Sequence, residues 1–446
     1  MNSRNSDGRR TAVVIFGASG SLATTRLMPA IEKLRPGQHG AHQLFTVGVD
    51  VKSPSAAFGK EGLAYVRGDL TRRETYDALS ELLRLKVAGS KSDCTYYLAT
   101  PPQLFPRVVE GLEEAGLDKL GVARRIIVEK PFGTDLGSSR ALQRQLDHSF
   151  GRARVFRADH FLAKVGVREI LRVRRASPDL EAALNGDAVD SVQIVADENS
   201  GVEARAGFYD RVGVMRDMVQ NHLLHVLCQV ATELPPVEGS SIQDEVRAEL
   251  LKRIVPLRKD DVVWGQYSGY RLTKGAKTGS KTPTFVALRL SADTSRWRGV
   301  PFYIRTGKKL RRDLTKAVVI FKEPVSIRIR GRQRRLGIIS FEVDPRAGVA
   351  GELGRSVRGG NPSSTSREVI RKPAPQDEYE LLLRGALGDD HALFAGDRFN
   401  DLAWRIVDPP IRELEAGHAD LRTYAPGTDG PAESERLLST SGRSWQ

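Results

Sequence analysis

Two cysteines, Cys94 and Cys228, are all that the 446 residues contain. So few exclude a disulfide framework and any CxxC metal pair, and they read as two small buried hydrophobes in a reducing cytoplasm. No apolar run approaches the roughly 18 residues that a spanning helix needs, so no membrane contact is expected. The opening MNSRNSDGRR is polar and lacks the apolar core of a secretory signal, which points to a cytoplasmic location. The eight histidines include no HExxH and no Cys/His cluster, so a metal site is not expected. No aromatic residue alternates with the basic stretch IRIRGRQRR (327–335), as a base-stacking platform would require. The net charge of +14 therefore reads as a solvated basic surface that attracts anionic metabolites, with no nucleic-acid partner.

What the chain has is length and alternation. At 446 residues it exceeds one ordinary core and points to two domains or three. TAVVIF (11–16) is a β-branched run that ends in GASG and gives way to the periodic LATTRLMPAIEKL, the pattern of strand, turn and helix. QLFTVGV (43–49), TYYLATPP (95–102) and RRIIVEKPFG (124–133) read as further strands, with helical stretches such as RETYDALSELLRLK between them. This alternation predicts an α/β Rossmann domain, a doubly wound parallel sheet, over residues 1–155. Beyond it DSVQIVADE, TFVALRLSAD, VPFYIRTG, AVVIFK and VSIRIRGR alternate like strands of a mixed, mostly antiparallel sheet. They predict a larger α+β domain over 156–446, with helices at MRDMVQNHLLHVLCQVATEL, SSIQDEVRAELLKRI and EYELLLRGALG. The Gly/Ser-rich stretch 348–367 is expected to be a mobile excursion, and the tail from about 425 to be disordered.

The first candidate site is GASGSLA, directly after the first strand. Gly17 permits a tight turn, Gly20 lets the backbone approach a pyrophosphate at a helix N-terminus, and Ser19, Ser21 and Leu22 belong to the same loop. Small residues in such a turn can serve packing alone; the strand before and the helix after favour a nucleotide. Thr100, Pro101, Pro102, Lys130 and Pro131, at the ends of later strands, are expected on the same cofactor site. Asp50, in VGVDVKS at the end of the second strand, can accept the adenine-ribose hydroxyls of NAD and repel the 2′-phosphate of NADP. Lys52 can soften that repulsion, and a solvated loop aspartate is the plainer alternative. On charge the cofactor, NADP or NAD, leans towards NAD.

A second set of residues carries acid–base chemistry. RDMVQNHLLH puts Asp217 and His222 five positions apart, on roughly adjacent sides of a helix. A histidine on an apolar helical face is more often a core residue than a catalyst. A neutral imidazole with a carboxylate partner can nevertheless take an alcohol proton while hydride leaves the same carbon. FRADHFLAKVGV (156–167) adds Asp159, His160 and Lys164: a candidate partner and two cations. VEKPFG sets Lys130 before Pro131, where a cis bond and a tight turn fit.

GASGSLA, YLATPP, VEKPFG, RADHFLAK, RDMVQNHLL, TPTFVALRL, RWRGVPFYIRTGKKL and AWRIVDP, in that order, resemble the glucose-6-phosphate dehydrogenase family over nearly the whole chain. The resemblance implies a homodimer or homotetramer formed through the larger sheet. It implies oxidation of the C1 hydroxyl of a hexose 6-phosphate to the 1,5-lactone, with hydride passed to NADP or NAD, as in the pentose phosphate pathway. It also implies that His222 is the general base, that Asp159 orients its imidazole, and that His160 and Lys164 hold the phosphate. Lys130, Glu198, Asp217 and Lys308 would hold sugar hydroxyls, which makes Asp217 a substrate ligand and not the partner of the base.

The departures from that pattern cluster around the substrate and cofactor. The family's DHYLGKE reads DHFLAKV, so Phe161 offers no phenolic hydroxyl to a phosphate. Asp313, beside Arg312, stands where the family commonly carries a cation. In the glycine loop Ser21 and Thr24 replace charged residues while Arg26 keeps one cation, and Val51 takes the place of an arginine that often reads the 2′-phosphate. FEVDP (341–345) replaces a V-Q-P segment. An intact Asp159–His222 pair in altered surroundings implies a divergent member. The alternatives are a dehydrogenase of a modified sugar such as glucosamine 6-phosphate, and a non-catalytic nucleotide or sugar-phosphate sensor.

Overall fold

The computed structural model describes residues 10–35, 43–54, 63–87, 92–120, 123–235, 240–329, 331–353 and 367–446. The chain divides into two compact units. One comprises Met1–Ala163 with Asp377–Asp397, the other Lys164–Gln376 with Arg398–Gln446.

The first unit is built on a seven-stranded sheet. Strands β1 (Arg10–Phe16), β2 (Gln43–Asp50), β3 (Leu63–Arg67), β4 (Asp93–Leu98), β5 (Arg124–Glu129) and β6 (Val155–Ala158) are parallel, in the order β6-β5-β4-β1-β2-β3. Parallel strands are covered on both faces, which is why Ala12–Phe16 and Ile126–Ile127 can be apolar without a break and wholly buried. On one face Val14, Phe16 and Tyr96 pack with Tyr76 and Leu79 of the helix Arg73–Val87 and with Val108 and Leu112 of the helix Phe105–Glu114. The helix Leu136–Phe150 joins that face, begun by a capping box between Asp135 and Ser138.

The opposite face is covered by a segment that the sequence pattern assigns to the second domain. In the helix Glu378–Leu387, Tyr379, Leu382, Leu383 and Ala386 share one stripe and pack with Val13, Ile15, Tyr97, Ile127 and Phe156. The short strand β15 (Phe394–Ala395) then adds to β6 in antiparallel pairing. The expected single boundary after residue 155 is thereby corrected. The chain crosses after Ala163, returns for 377–397 and leaves again, and the returning segment shares the cover of this face with Leu27, Met28 and Ile31 of the first segment.

The second unit has nine strands, mixed and mostly antiparallel as expected: β7 (Val189–Asp197), β8 (Val262–Tyr267), β9 (Phe285–Leu290), β10 (Phe302–Gly307), β11 (Leu314–Ile329), β12 (Arg332–Asp344), β13 (Gly348–Leu353), β14 (Arg367–Arg371) and β16 (Leu421–Tyr424). Their order is β14-β13-β12-β11-β7-β10-β9-β8-β16, with only β7–β10 and β8–β16 parallel. AVVIFK and VSIRIRGR belong to one long strand, since β11 continues through Pro324 by shifting its register on β12 between Ile320 and Val325. In the Gly/Ser-rich stretch, Gly348–Leu353 is strand, and residues 354–366 lie outside the described residues.

The tail expected to be disordered is folded. Leu437 and Leu438 of the helix Glu433–Ser439 are buried, Arg443 pairs with Asp190 at 2.8 Å, and Trp445 lies over the Arg305 guanidinium at 5.0 Å. Two adjacent leucines and a tryptophan inside a polar, Gly/Ser-rich segment supply the buried area that its composition conceals.

Candidate active site

The glycine loop of the first unit is wedged between two strand ends. Gly17 has φ +82°, its N–H donates to Val49 O at 2.9 Å, and a Cβ there would lie 2.6 Å from Ala99 O. Glycine alone fits that turn. Asp50 reaches across from β2 and its carboxylate accepts from the Ser19 N–H (3.1 Å) and Oγ (2.8 Å). The loop leads into a π-helical turn, Ala23–Leu27, and the helix Met28–Leu34. Thr100, at the neighbouring strand end, buries an Oγ1 that has no hydrogen-bond partner among the described residues. A tight glycine turn beside an unused buried hydroxyl fits a bound dinucleotide, with Gly17, Ser19, Gly20 and Thr100 as its cradle. Val51 is exposed, and Arg67, which faces Asp50 in the β2–β3 register, turns its Nε to Val51 O at 3.3 Å. Arg67 went unnoticed in the sequence because β3 itself did.

The rim of the same sheet collects charge. Lys130–Pro131 is a cis peptide, as its setting suggested. Glu129, the last residue of β5, is buried and accepts the Tyr97 hydroxyl at 2.5 Å. It pairs in register with Ala158, so Asp159 follows it on the next strand end. Burial pushes the Glu129 carboxyl up to about 7, opposed by Tyr97 and Lys130 and reinforced by Asp159. Asp159 is itself buried, and its Oδ1 accepts the Phe161 N–H at 2.9 Å. His160 is half-buried and stacks on Tyr379, ring centroids 6.1 Å apart.

In the second unit the segment holding Asp217 and His222 is not an ordinary α-helix. Met215–Leu223 is π-helical, entered after a kink at Gly213 and leaving as the α-helix Leu224–Ala231. A π-helix takes about 4.4 residues per turn, against about 3.6 in an α-helix. Residues five apart are therefore nearly in line, and Asp217 and His222 lie on one face instead of the adjacent sides that α-helical spacing implies. Wide turns of this kind recur at functional sites. His222 is 1% exposed and its backbone N–H donates to the Asn221 side chain at 2.7 Å.

Lys308 follows the end of β10 beside that face. Its ammonium bonds Glu198 and lies 3.5 Å from Asp217 Oδ2. Burial works to lower the Lys308 pKa, but the carboxylates of Asp217 and Glu198 outweigh it and hold the ammonium above its ordinary value. A buried cation flanked by two carboxylates presents donors and acceptors suited to vicinal hydroxyls. Tyr209 adds a ring 5.7 Å from the same ammonium and a buried hydroxyl with no partner among the described residues. It carried no signal in the sequence beyond an aromatic residue in a helix. Asp313 is spoken for structurally, since its Oδ1 caps the Asn199 N–H at 2.9 Å. Lys164, at the start of the helix Val165–Ala176, is ion-paired with Asp344 at 3.0 Å.

The first unit has a glycine turn at the switch point of a doubly wound sheet and the second a buried imidazole and a carboxylate–lysine cluster, each of which an NAD(P)-dependent dehydrogenase of a polyhydroxylated substrate can use. The NAD binding domain of glucose-6-phosphate dehydrogenase matches residues 49–169, and the C-terminal domain of the same enzymes matches 171–446. The chain is 33% identical to the glucose-6-phosphate 1-dehydrogenase 1 of Mycobacterium tuberculosis over 98% of its length and 97% of the relative's. It is 34% identical to the glucose-6-phosphate 1-dehydrogenase of Mycolicibacterium smegmatis, over 97% and 96%. The crystal structure of the Mycobacterium avium glucose-6-phosphate 1-dehydrogenase superposes with a TM-score of 0.80 at 31% identity, over 98% of each chain. A glucose-6-phosphate dehydrogenase in complex with its substrate glucose 6-phosphate does so at 0.83 and 28%, over 98% of each. The protein belongs to the glucose-6-phosphate dehydrogenase family.

Proposed function

We propose that this protein oxidises the C1 hydroxyl of a hexose 6-phosphate, glucose 6-phosphate first among them, to the 1,5-lactone. The nicotinamide cofactor accepts the hydride. His222 takes the C1 hydroxyl proton, and Asp159 orients the imidazole and stabilises it once protonated. Lys130, Glu198, Asp217 and Lys308 hold the sugar hydroxyls, while His160 and Lys164 receive the phosphate. The observation that carries this reading is the buried His222 sharing a π-helical face with Asp217, which borders the Lys308 ammonium. A sensor needs no buried imidazole on such a face.

For the cofactor we propose NAD above NADP, with NADP still accepted. The Asp50 carboxylate at the glycine loop supports the first choice, and Arg67 opposite it supports the tolerance. Assembly as a homodimer or homotetramer and a cytoplasmic location are part of the same reading. Among the described residues no helix is long and apolar enough to cross a membrane.

The test is initial-rate reduction of NAD and of NADP with glucose 6-phosphate, glucosamine 6-phosphate and free glucose. Turnover of glucose 6-phosphate by the wild type is the expected result. His222→Asn should lose roughly 10²–10⁴-fold in kcat while sugar binding, followed by calorimetry, persists. Unchanged kcat in that variant would remove His222 as the base.

A further inference from the structure

The helix Val165–Ala176 begins unusually close to the end of β12. A Cβ on Gly166 would lie 2.5 Å from Glu342 O and 2.7 Å from the Val343 Cα, so only glycine lets the helix start rest on that strand. This contact sets Lys164 directly beside Asp344, with its ammonium 3.0 and 3.1 Å from the two carboxylate oxygens. Lys164 keeps 15% of its side chain exposed and Asp344 43%. A cation at a helix N-terminus is a good place for a ligand anion. Here the protein's own carboxylate already occupies it.

The acid comes with company. Glu342, two residues earlier on β12, is engaged by Arg367, and Asp313 by the Asn199 N–H. Both side chains are acids, so neither offsets the charge of Asp344. A dianionic phosphate arriving at Lys164 must displace the Asp344 carboxylate or sit against it, and like charges in contact are strongly unfavourable. Because Asp344 is nearly half exposed, the pair is screened and can open. Phosphate is therefore penalised and not shut out. A terminal hydroxyl, as in a free hexose, pays no such penalty and can donate to the Asp344 carboxylate.

We propose that Asp344 is a specificity-determining residue that competes with the substrate phosphate for Lys164 and so lowers the preference for phosphorylated over free hexose. The inference rests on the proposed assignment of Lys164 to the phosphate.

The experiment compares kcat/KM for glucose 6-phosphate and for glucose in the wild type, Asp344→Asn and Asp344→Gln. Releasing Lys164 should raise the ratio of the two by about tenfold or more, the worth of one charge-assisted contact, and should do so through KM for the phosphorylated sugar. A ratio within twofold of wild type in both variants, or a ratio that falls, would overturn the proposal; a fall would mean that Asp344 only positions Lys164. The use of two amides guards against one misfolded variant, and circular dichroism with a thermal melt checks each. If the wild type oxidises neither sugar with either nucleotide, the dehydrogenase reading itself fails. Calorimetric binding of glucose 6-phosphate then decides the role of Asp344: tighter binding by Asp344→Asn supports it and equal binding ends it.

Discussion

Glu129 carries more of this protein's physical chemistry than its place in a short motif suggests. The unfolded chain ionises it near 4.5, whereas burial in the folded state keeps the proton on until about 7. Folding therefore takes up a proton in that window: stability is greatest below it, falls as pH rises from 4.5 to about 7, and levels off above. Glu129→Gln keeps an acceptor for the Tyr97 hydroxyl but removes the titration. Urea denaturation at pH 5 and pH 8 should show the wild type losing on the order of 3 kcal/mol between those values and the variant losing far less from this source. An unaltered slope in the variant would mean that other groups carry the pH dependence. In the sequence Glu129 is merely the residue before Lys130. Its environment comes from Tyr97 and Asp159, each about 30 positions away, and residue type alone does not encode that.

At the scale of elements, the glycine loop and its neighbours were legible and the helix bearing His222 was only half so. The strand, the tight turn and the acid at the end of β2 follow from local residue types, and the Ser19–Asp50 contact joins them as a unit. Asp50→Ala should both release the loop and remove the charge that repels a 2′-phosphate. The ratio of kcat/KM for NADP over NAD is expected to rise about tenfold, with most of the change in KM for NAD. Equal ratios before and after would show that Asp50 is not the discriminator. By contrast, nothing in RDMVQNHLLH announces a π-helix. Helical periodicity is read at about 100° per residue, and the wider turns that follow the kink at Gly213 do not show in it. The spacing of Asp217 and His222 was visible, and their alignment was not.

At the scale of the molecule, the first unit takes part of its second cover from residues 377–397. Leu382, Leu383 and Phe394 are buried there, and each such side chain is worth about 1.5–3 kcal/mol. Their sum approaches the whole stability of an ordinary domain, about 5–15 kcal/mol. Residues 10–163 produced alone should lack a cooperative unfolding transition, and the same residues joined by a flexible linker to 377–397 should regain one. Cooperative melting of 10–163 by itself, measured by circular dichroism, would show that the borrowed helix is dispensable.

The sequence by itself determined the class of fold, the glycine turn and the family, and supplied nearly all of the residues proposed for the site, because each rests on short-range pattern: a strand that ends in small residues, an alternation of period two, a motif within ten positions. Only the tertiary structure decided that Glu129 lies buried beneath Tyr97, that the helix at 378–387 belongs with the first sheet, and that Asp344 sits on the Lys164 ammonium. These last depend on contacts between residues 30 to more than 200 positions apart. Burial, dielectric and charge at such contacts are set by which surfaces the folded chain brings together, and no local rule of propensity reaches that far.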